Sequence, residues 1–358
     1  MSGKSWLLFW VPFFCILSSS LHAAPLDGTA SVVYQTSSYS FSNGDWARGF
    51  VRLNAGFSVP ASGTVSFNVL PPIAGTINFN TSGKMTLEGD MILASNATLS
   101  SGGKIDGQGN VVFLNGNITV PAGAVLQFTS NTIIDGQGHE IVLTNGAPGG
   151  QLYINGPANT SLTLRNVTVR GVRDYSGVSA IRVGKNVGQT LVLENVKMHL
   201  ADDFSWWDGK LEIKKNTDLY GIYTKDTWGA MQQTLFNYYS SEDCTITADS
   251  TLSVDMTLAF IYYPTDASNY HIKFSDTSAR LFLNGCTLYV SQDIGLRLLK
   301  GHLIFDHRTI LQSDGAIKTA QSIQFGDGKK QSNDVIMDVL PGAKIEFEDA
   351  YVRYLCRN

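Results

Sequence analysis

The sequence predicts an all-β protein built as a solenoid of stacked coils, and three observations carry that prediction. A short pattern recurs: apolar, any, apolar, any, then Asn, Gly, Asp or His. It stands at Met85/Leu87/Gly89, Val111/Phe113/Asn115, Ile141/Leu143/Asn145, Leu162/Leu164/Asn166 and Leu191/Leu193/Asn195. It returns at Ile272/Phe274/Asp276, Leu281/Leu283/Gly285, Leu303/Phe305/His307 and Ile345/Phe347/Asp349. Near-copies also recur at a fixed step: Ile105, Ile134 and Thr163 are 29 apart (134−105 and 163−134), as are LTLRNVTV from Leu162 and LVLENVKM from Leu191 (191−162). Finally, only 16% of the 358 residues are charged, against about 25% in ordinary soluble domains, and 35 are Gly.

Each part of the pattern has a physical reading. Alternating apolar positions describe a strand with one buried face. The fifth position holds residue types that tolerate a left-handed backbone, Gly freely and Asn, Asp or His as the enriched exceptions. Each unit is therefore a short strand entering a sharp bend, and similarity at a period of 20–50 residues marks stacked repeats. The segments Val59–Phe67 (VPASGTVSF), Val120–Phe128 (VPAGAVLQF) and, more loosely, Leu340–Phe347 (LPGAKIEF) add a Pro/Gly turn that launches a further strand.

Along the chain, Lys4, the 12 apolar residues Trp6 to Leu17 and the run Ser18 to Ala24 read as a secretory signal peptide cleaved after Ala23. That apolar run is too short to span a bilayer, and no second one of membrane length follows. Residues 24–60 lack the pattern and carry Tyr34, Tyr39, Phe41, Trp46, Phe50 and Phe57, as expected of an N-terminal cap over an open first coil. Residues 61–358 form the solenoid domain, with an irregular, aromatic-rich section at 201–270. Of the mature cysteines, Cys244, Cys286 and Cys356, the first two head local copies 42 apart (286−244), on one wall with a coil between them, and read as small buried residues. They would bond only if their coils were adjacent.

The segments LTLRNVTVRG and LVLENVKMHL, with the IDGQG turns at 105–109 and 134–138, resemble the right-handed parallel β-helix proteins, the pectin-lyase-like fold. The resemblance is clearest from 60 to 200 and recurs from about 270 onward. It implies asparagine ladders at one tight bend, with Asn166 and Asn195 in the ladder positions and bonded to buried backbone groups. It implies little about activity, because such scaffolds carry unrelated functions.

Several function classes fall away. Net charge is −4 with no basic stripe, which argues against a nucleic-acid partner. There is no P-loop, Rossmann fingerprint or HExxH, and the five mature histidines are scattered without ligand spacing, so no metal or cofactor is expected. Asp202-Asp203 and Asn216-Thr217-Asp218 resemble polygalacturonase signatures, but in the reverse order and without the following Gly-His-Gly and Arg-Ile-Lys. Arg165, Arg170, Arg173 and Arg182 lack the motifs of a pectate lyase base. The sequons at Asn80, Asn96, Asn117, Asn159 and Asn166 are ordinary for an Asn/Thr-rich β protein.

What remains is Asp202, Asp203, Trp206, Trp207 and Asp208, placed after a strand ending at Leu200. Exposed rings offer flat apolar platforms to sugar faces, and carboxylates accept hydroxyl hydrogen bonds or bind Ca²⁺. Core plugging is the competing role for either Trp, and one buried and one exposed ring is the expected outcome. The chain therefore reads as a secreted, periplasmic or cell-surface protein with a structural or adhesive role, glycan binding being one form of it. Its partner would be a polysaccharide or a host or cell-surface ligand. A polysaccharide lyase or glycoside hydrolase on the same scaffold is the alternative.

Overall fold

The computed structural model describes strands between residues 32 and 100, then residues 103–225, 229–291, 293–314 and 323–355. The signal segment, most of the expected cap, Trp228 and Cys356 lie outside the described residues. Within 24–60 the described residues are three strands, Val32–Val33, Tyr39–Phe41 and Phe57–Val59, and they join the same sheets as the later coils.

The coil is visible in the pairing. Strand Gly103–Asp106 is followed by Val111–Asn115 and Ile118–Val120, and then Val125–Phe128 returns to lie parallel beside Gly103–Asp106, Ile105 against Phe128. The next two strands, Thr132–Asp135 and Glu140–Leu143, settle parallel on the second and third strands of the coil before. Leu126 then meets Leu152, and Leu152 meets Ile181, so coils of 23, 26 and 29 residues (128−105, 152−126, 181−152) stack in register. The architecture is all-β, with long parallel sheets of stacked strands, as a β-solenoid has; no α-helix occurs among the described residues. None of those residues forms a helix long and apolar enough to cross a membrane. Tandem antiparallel sandwiches are excluded for the described residues, where antiparallel pairing is confined to two short hairpins and one isolated bridge.

Inward positions follow the alternation. Leu162, Leu164, Leu191 and Leu193 are buried, and Leu162 faces Leu191 in the 29-residue step that the sequence shows. The two IDGQG segments behave differently. Ile105 lies against Phe128, whereas Ile134 lies against Leu164, so the near-copies occupy two different corners of the coil. They share a backbone conformation, Gln108 and Gln137 at φ 50° and 49° and Gly109 and Gly138 at 84° and 89°. The copy is one of local turn geometry, not of wall.

The bends divide similarly. Asn166, Asn195, Gly285, His307 and Asp349 have φ between 48° and 72°, while Asn115, Asn145 and Asp276 do not enter the left-handed region. Asn166 and Asn195 occupy the same corner of adjacent coils. Their amides bond each other rather than buried backbone: Asn195 Nδ2 donates to Asn166 Oδ1 at 3.0 Å, and Asn166 Nδ2 to Asp135 Oδ1 at 3.3 Å. Asn195 is exposed, so this ladder is a surface rail of side chains. Gly136 packs under it, since a Cβ there would lie 2.7 Å from the Asn166 carbonyl oxygen.

The section 201–270 does not interrupt the stack. Trp206 pairs in register with Tyr238 and Tyr238 with Tyr262, while Ile213 pairs with Ile246 and Ile246 with Phe274. The aliphatic pattern fades because rings fill this part of the core: Phe204 meets Phe236 at a tilt, 5.5 Å between centres, and Phe236 stacks on Phe260 at 5.1 Å. Length varies because one coil carries an extra hairpin, Tyr223–Lys225 antiparallel to Met231–Gln233. Cys244 and Cys286 are buried free thiols that do not share the one wall expected of them, Cys244 lying in Cys244–Ile246 and Cys286 just before Thr287–Val290 of another sheet. Burial pushes the Cys244 thiol up to about 12.

The rail gives a test of the bend. Asn166→Ala should cost about 1–2 kcal/mol, through loss of the side-chain amide that eases a left-handed residue and of its two ladder bonds. Asn166→Gly should cost less, because Gly holds φ 48° without strain. Chemical denaturation of both variants checks the order.

Candidate functional site

The surface that stands out is built from three aromatic doublets: Trp206-Trp207, Tyr238-Tyr239 and Tyr262-Tyr263. Each doublet closes a strand of one wall: Phe204–Trp206, Met231–Tyr238 and Leu258–Tyr262. The first ring of each faces inward, and Trp206 is 1% exposed and Tyr238 and Tyr262 fully buried. A buried ring with a polar end needs a partner, and each finds a carbonyl in the turn that follows. Trp206 Nε1 donates to Gly209 O at 2.9 Å, Tyr238 Oη to Glu242 O, and Tyr262 Oη to Ser268 O at 2.7 Å. Burial raises both tyrosine hydroxyls far above their ordinary value.

Because adjacent residues of a strand point to opposite sides, the second ring of each doublet faces outward. Trp207 is 45% and Tyr263 46% exposed, with Tyr239 half-buried between them. The backbone keeps them aligned: Tyr239 N–H donates to Trp206 O and Tyr263 N–H to Tyr238 O, both at 3.0 Å. Trp207 lies over Tyr239 with ring centres 4.4 Å apart, and Tyr239 meets Tyr263 edge-on at 6.2 Å. Three outward rings on three successive coils thus form a strip along the stacking direction. Beyond it, Tyr289 has its hydroxyl raised by burial and by the neighbouring Asp314 and Tyr263.

Carboxylates flank the strip where one wall hands over to the next, between Ile181–Val183 and Phe204–Trp206. Asp203 Oδ1 accepts the Leu235 N–H at 2.8 Å, and Asp174 Oδ1 accepts the Ser205 N–H at 3.1 Å. Asp202 Oδ1 accepts the N–H of Asp203 at 2.9 Å. Partial burial, then the charges of Asp202 and Asp174, raise the Asp203 carboxyl above its ordinary range despite the Leu235 bond. Asp203 is thereby bonded to the strand that ends at Tyr238, and the Tyr239 hydroxyl is raised by burial and then by Asp174, Tyr263 and Asp203. On the far side His271 sits between Asp243 and Asp266, its ring nitrogens 3.1 and 2.9 Å from their oxygens, and its N–H meets Tyr262 Oη at 3.0 Å. That clamp fixes the turn leaving Tyr263. No cluster of three or more His, Cys, Asp or Glu suited to a metal ion occurs among the described residues.

Of the residues that the sequence singles out, Trp207 stands on the strip, Asp203 is bonded to the strand that ends at Tyr238, and Asp202 accepts the N–H of Asp203. Asp208 is exposed one residue beyond Trp207, and Trp206 is withdrawn into the core. Tyr239 and Tyr263 come from the aromatic-rich section 201–270, and Asp174 is an addition. The signal for the tyrosines is the doublet itself, recurring at steps of 32 and 24 residues (238−206 and 262−238). Comparison with family models, curated proteins and solved structures finds no match to this chain.

Two measurements separate anchor from platform. Trp206→Ala should cost about 3–5 kcal/mol as a large-to-small core change, and Trp207→Ala about 1 kcal/mol, the loss of one ring contact; denaturant unfolding reads both. Asp203 has a folded-state pKa above its unfolded one, so its charge lowers stability as pH rises through that interval. Asp203→Asn should therefore unfold at a higher temperature than wild type at pH 7, and the gap should close at pH 3.

Proposed function

We propose that the chain is an exported right-handed parallel β-helix of the pectin-lyase-like type that binds an extended polysaccharide along its aromatic strip, in an adhesive or structural role at a cell surface. The observation that carries this is the alignment of Trp207, Tyr239 and Tyr263, each exposed or half-buried and each on its own coil. Flat rings at regular intervals suit a repeating ligand with apolar faces, and sugars present such faces with hydroxyls at their edges. Asp202 and Asp203 stand within the same surface as acceptors for those hydroxyls. Because their neighbourhood is negative, a neutral or amino-sugar chain fits better than a polyuronate.

Binding is favoured over catalysis by what the carboxylates do. Asp174 and Asp203 each spend an oxygen on a backbone N–H, which holds the wall handover together. A glycan array run beside assays for new reducing ends and unsaturated products tests the reading. Neutral or amino-sugar polymers should bind without cleavage, and Trp207→Ala should weaken them about tenfold with unfolding little changed. Binding to no glycan, or product release from any, overturns it.

A further inference from the structure

The last described coil leaves the interior of the stack open. Strands Ile336–Val339, Lys344–Glu348 and Val352–Tyr354 lie parallel on His302–Asp306, Arg308–Gln312 and Ile323–Phe325, and each is the last strand of its sheet among the described residues. Register places Met337 and Val339 over Leu303 and Phe305, Ile345 and Phe347 over Thr309 and Leu311, and Val352 and Tyr354 over Ile323 and Phe325. Those six predecessors are buried, yet Val339, Phe347 and Tyr354 are 53%, 57% and 49% exposed. Apolar inward positions and open strand edges at one end of a stack are a template for further pairing unless something covers them.

We propose that a second copy of the chain covers it, the two copies meeting end to end about a two-fold axis with their terminal strands paired antiparallel. The sequence of the edge is complementary to itself under that operation. Read against its own copy about Glu346, the strand Lys344–Glu348 sets Ile345 opposite Phe347 and Lys344 opposite Glu348. The same axis reverses the order of the walls, so Ile336–Val339 meets Val352–Tyr354 of the second copy. Antiparallel, Met337 falls opposite Tyr354, Asp338 opposite Arg353 and Val339 opposite Val352. Inward residues meet inward residues on every wall, and acid meets base at Lys344/Glu348 and at Asp338/Arg353, where Asp338 also stands 3.0 Å from His302 Nδ1 of its own copy. One operation achieves all of it, as a closed isologous interface requires. Aromatic–β-branched and opposite-charge pairs are the ones that stabilise antiparallel strands. Glu346 faces its own copy, but each carboxylate is already held by Arg308 through Nε and Nη2 at 2.8 and 2.7 Å.

Sedimentation equilibrium of the chain tests this, with circular dichroism as the control for folding. Wild type should show a reversible monomer–dimer equilibrium, and Val339→Lys with Phe347→Lys should be monomeric at every concentration reached. Asp338→Arg and Arg353→Asp should each weaken the dimer about tenfold, since each introduces two like-charge pairs. The double variant D338R/R353D should recover it, because the pairs are then merely exchanged. A wild type that stays monomeric, one that forms open-ended polymers, or a dimer indifferent to these four substitutions overturns the proposal.

Discussion

The parallel backbone ladder between successive coils is the constraint on which the rest of the molecule depends. Strands in such a ladder lie about 4.8 Å apart, and their register decides which side chains sit above which. Once Trp206 is paired with Tyr238 and Tyr238 with Tyr262, three consequences follow together. The inward rings stack into a core, the outward rings fall into line, and the turn beyond each ring supplies a carbonyl to its polar end. A slip of one residue in any of these pairings would exchange the inward and outward rings. The doublets are thus a device for registering a core and a surface at once.

The same constraint explains the other stacked features. The rail Asp135, Asn166, Asn195 exists because corners recur at the same place in adjacent coils. Charges are ordered likewise, with Arg165 held by Glu194 and Arg170 by Glu140 across neighbouring strands. Half-exposed pairs of this kind contribute little stability; they tidy the outer faces and leave the work of cohesion to the apolar interior. The constraint also creates the open end, since a ladder has no internal reason to stop. At the last described strands, inward positions that are buried in the coil before, such as those at Phe305, Leu311 and Phe325, are left partly uncovered at Val339, Phe347 and Tyr354.

Much of this was legible in the residues. The alternation at Leu162/Leu164 and Leu191/Leu193 gave strand, face and step correctly, because a period of two against a buried wall leaves little choice. The left-handed corners at Asn166 and Asn195 were legible for the same reason that they are Asn. The IDGQG copies misled about walls, because a turn sequence encodes a local conformation and any corner that needs that conformation can use it. The section 201–270 looked like a break because aromatic residues replaced Leu and Val in the core, and because an inserted hairpin stretched one coil. Asp202, Asp203 and Trp207 could be singled out from composition and place in the chain. Tyr239 and Tyr263 were marked only by the recurring doublet, whose alignment depends on a register spanning 24 to 32 residues. Asp174 was not marked at all, since it joins through a hairpin that precedes the handover.

The account stands most directly on whether the aligned rings act as successive subsites for one ligand chain. Calorimetric titration of the wild type with a series of neutral or amino-sugar oligosaccharides of increasing length measures this, with Tyr239→Ala as the partner titration. Affinity should climb with length until the ligand covers all three rings and then level off, and removing the middle ring should flatten the climb. An affinity that is independent of length, or a climb that Tyr239→Ala leaves unchanged, would contradict the account.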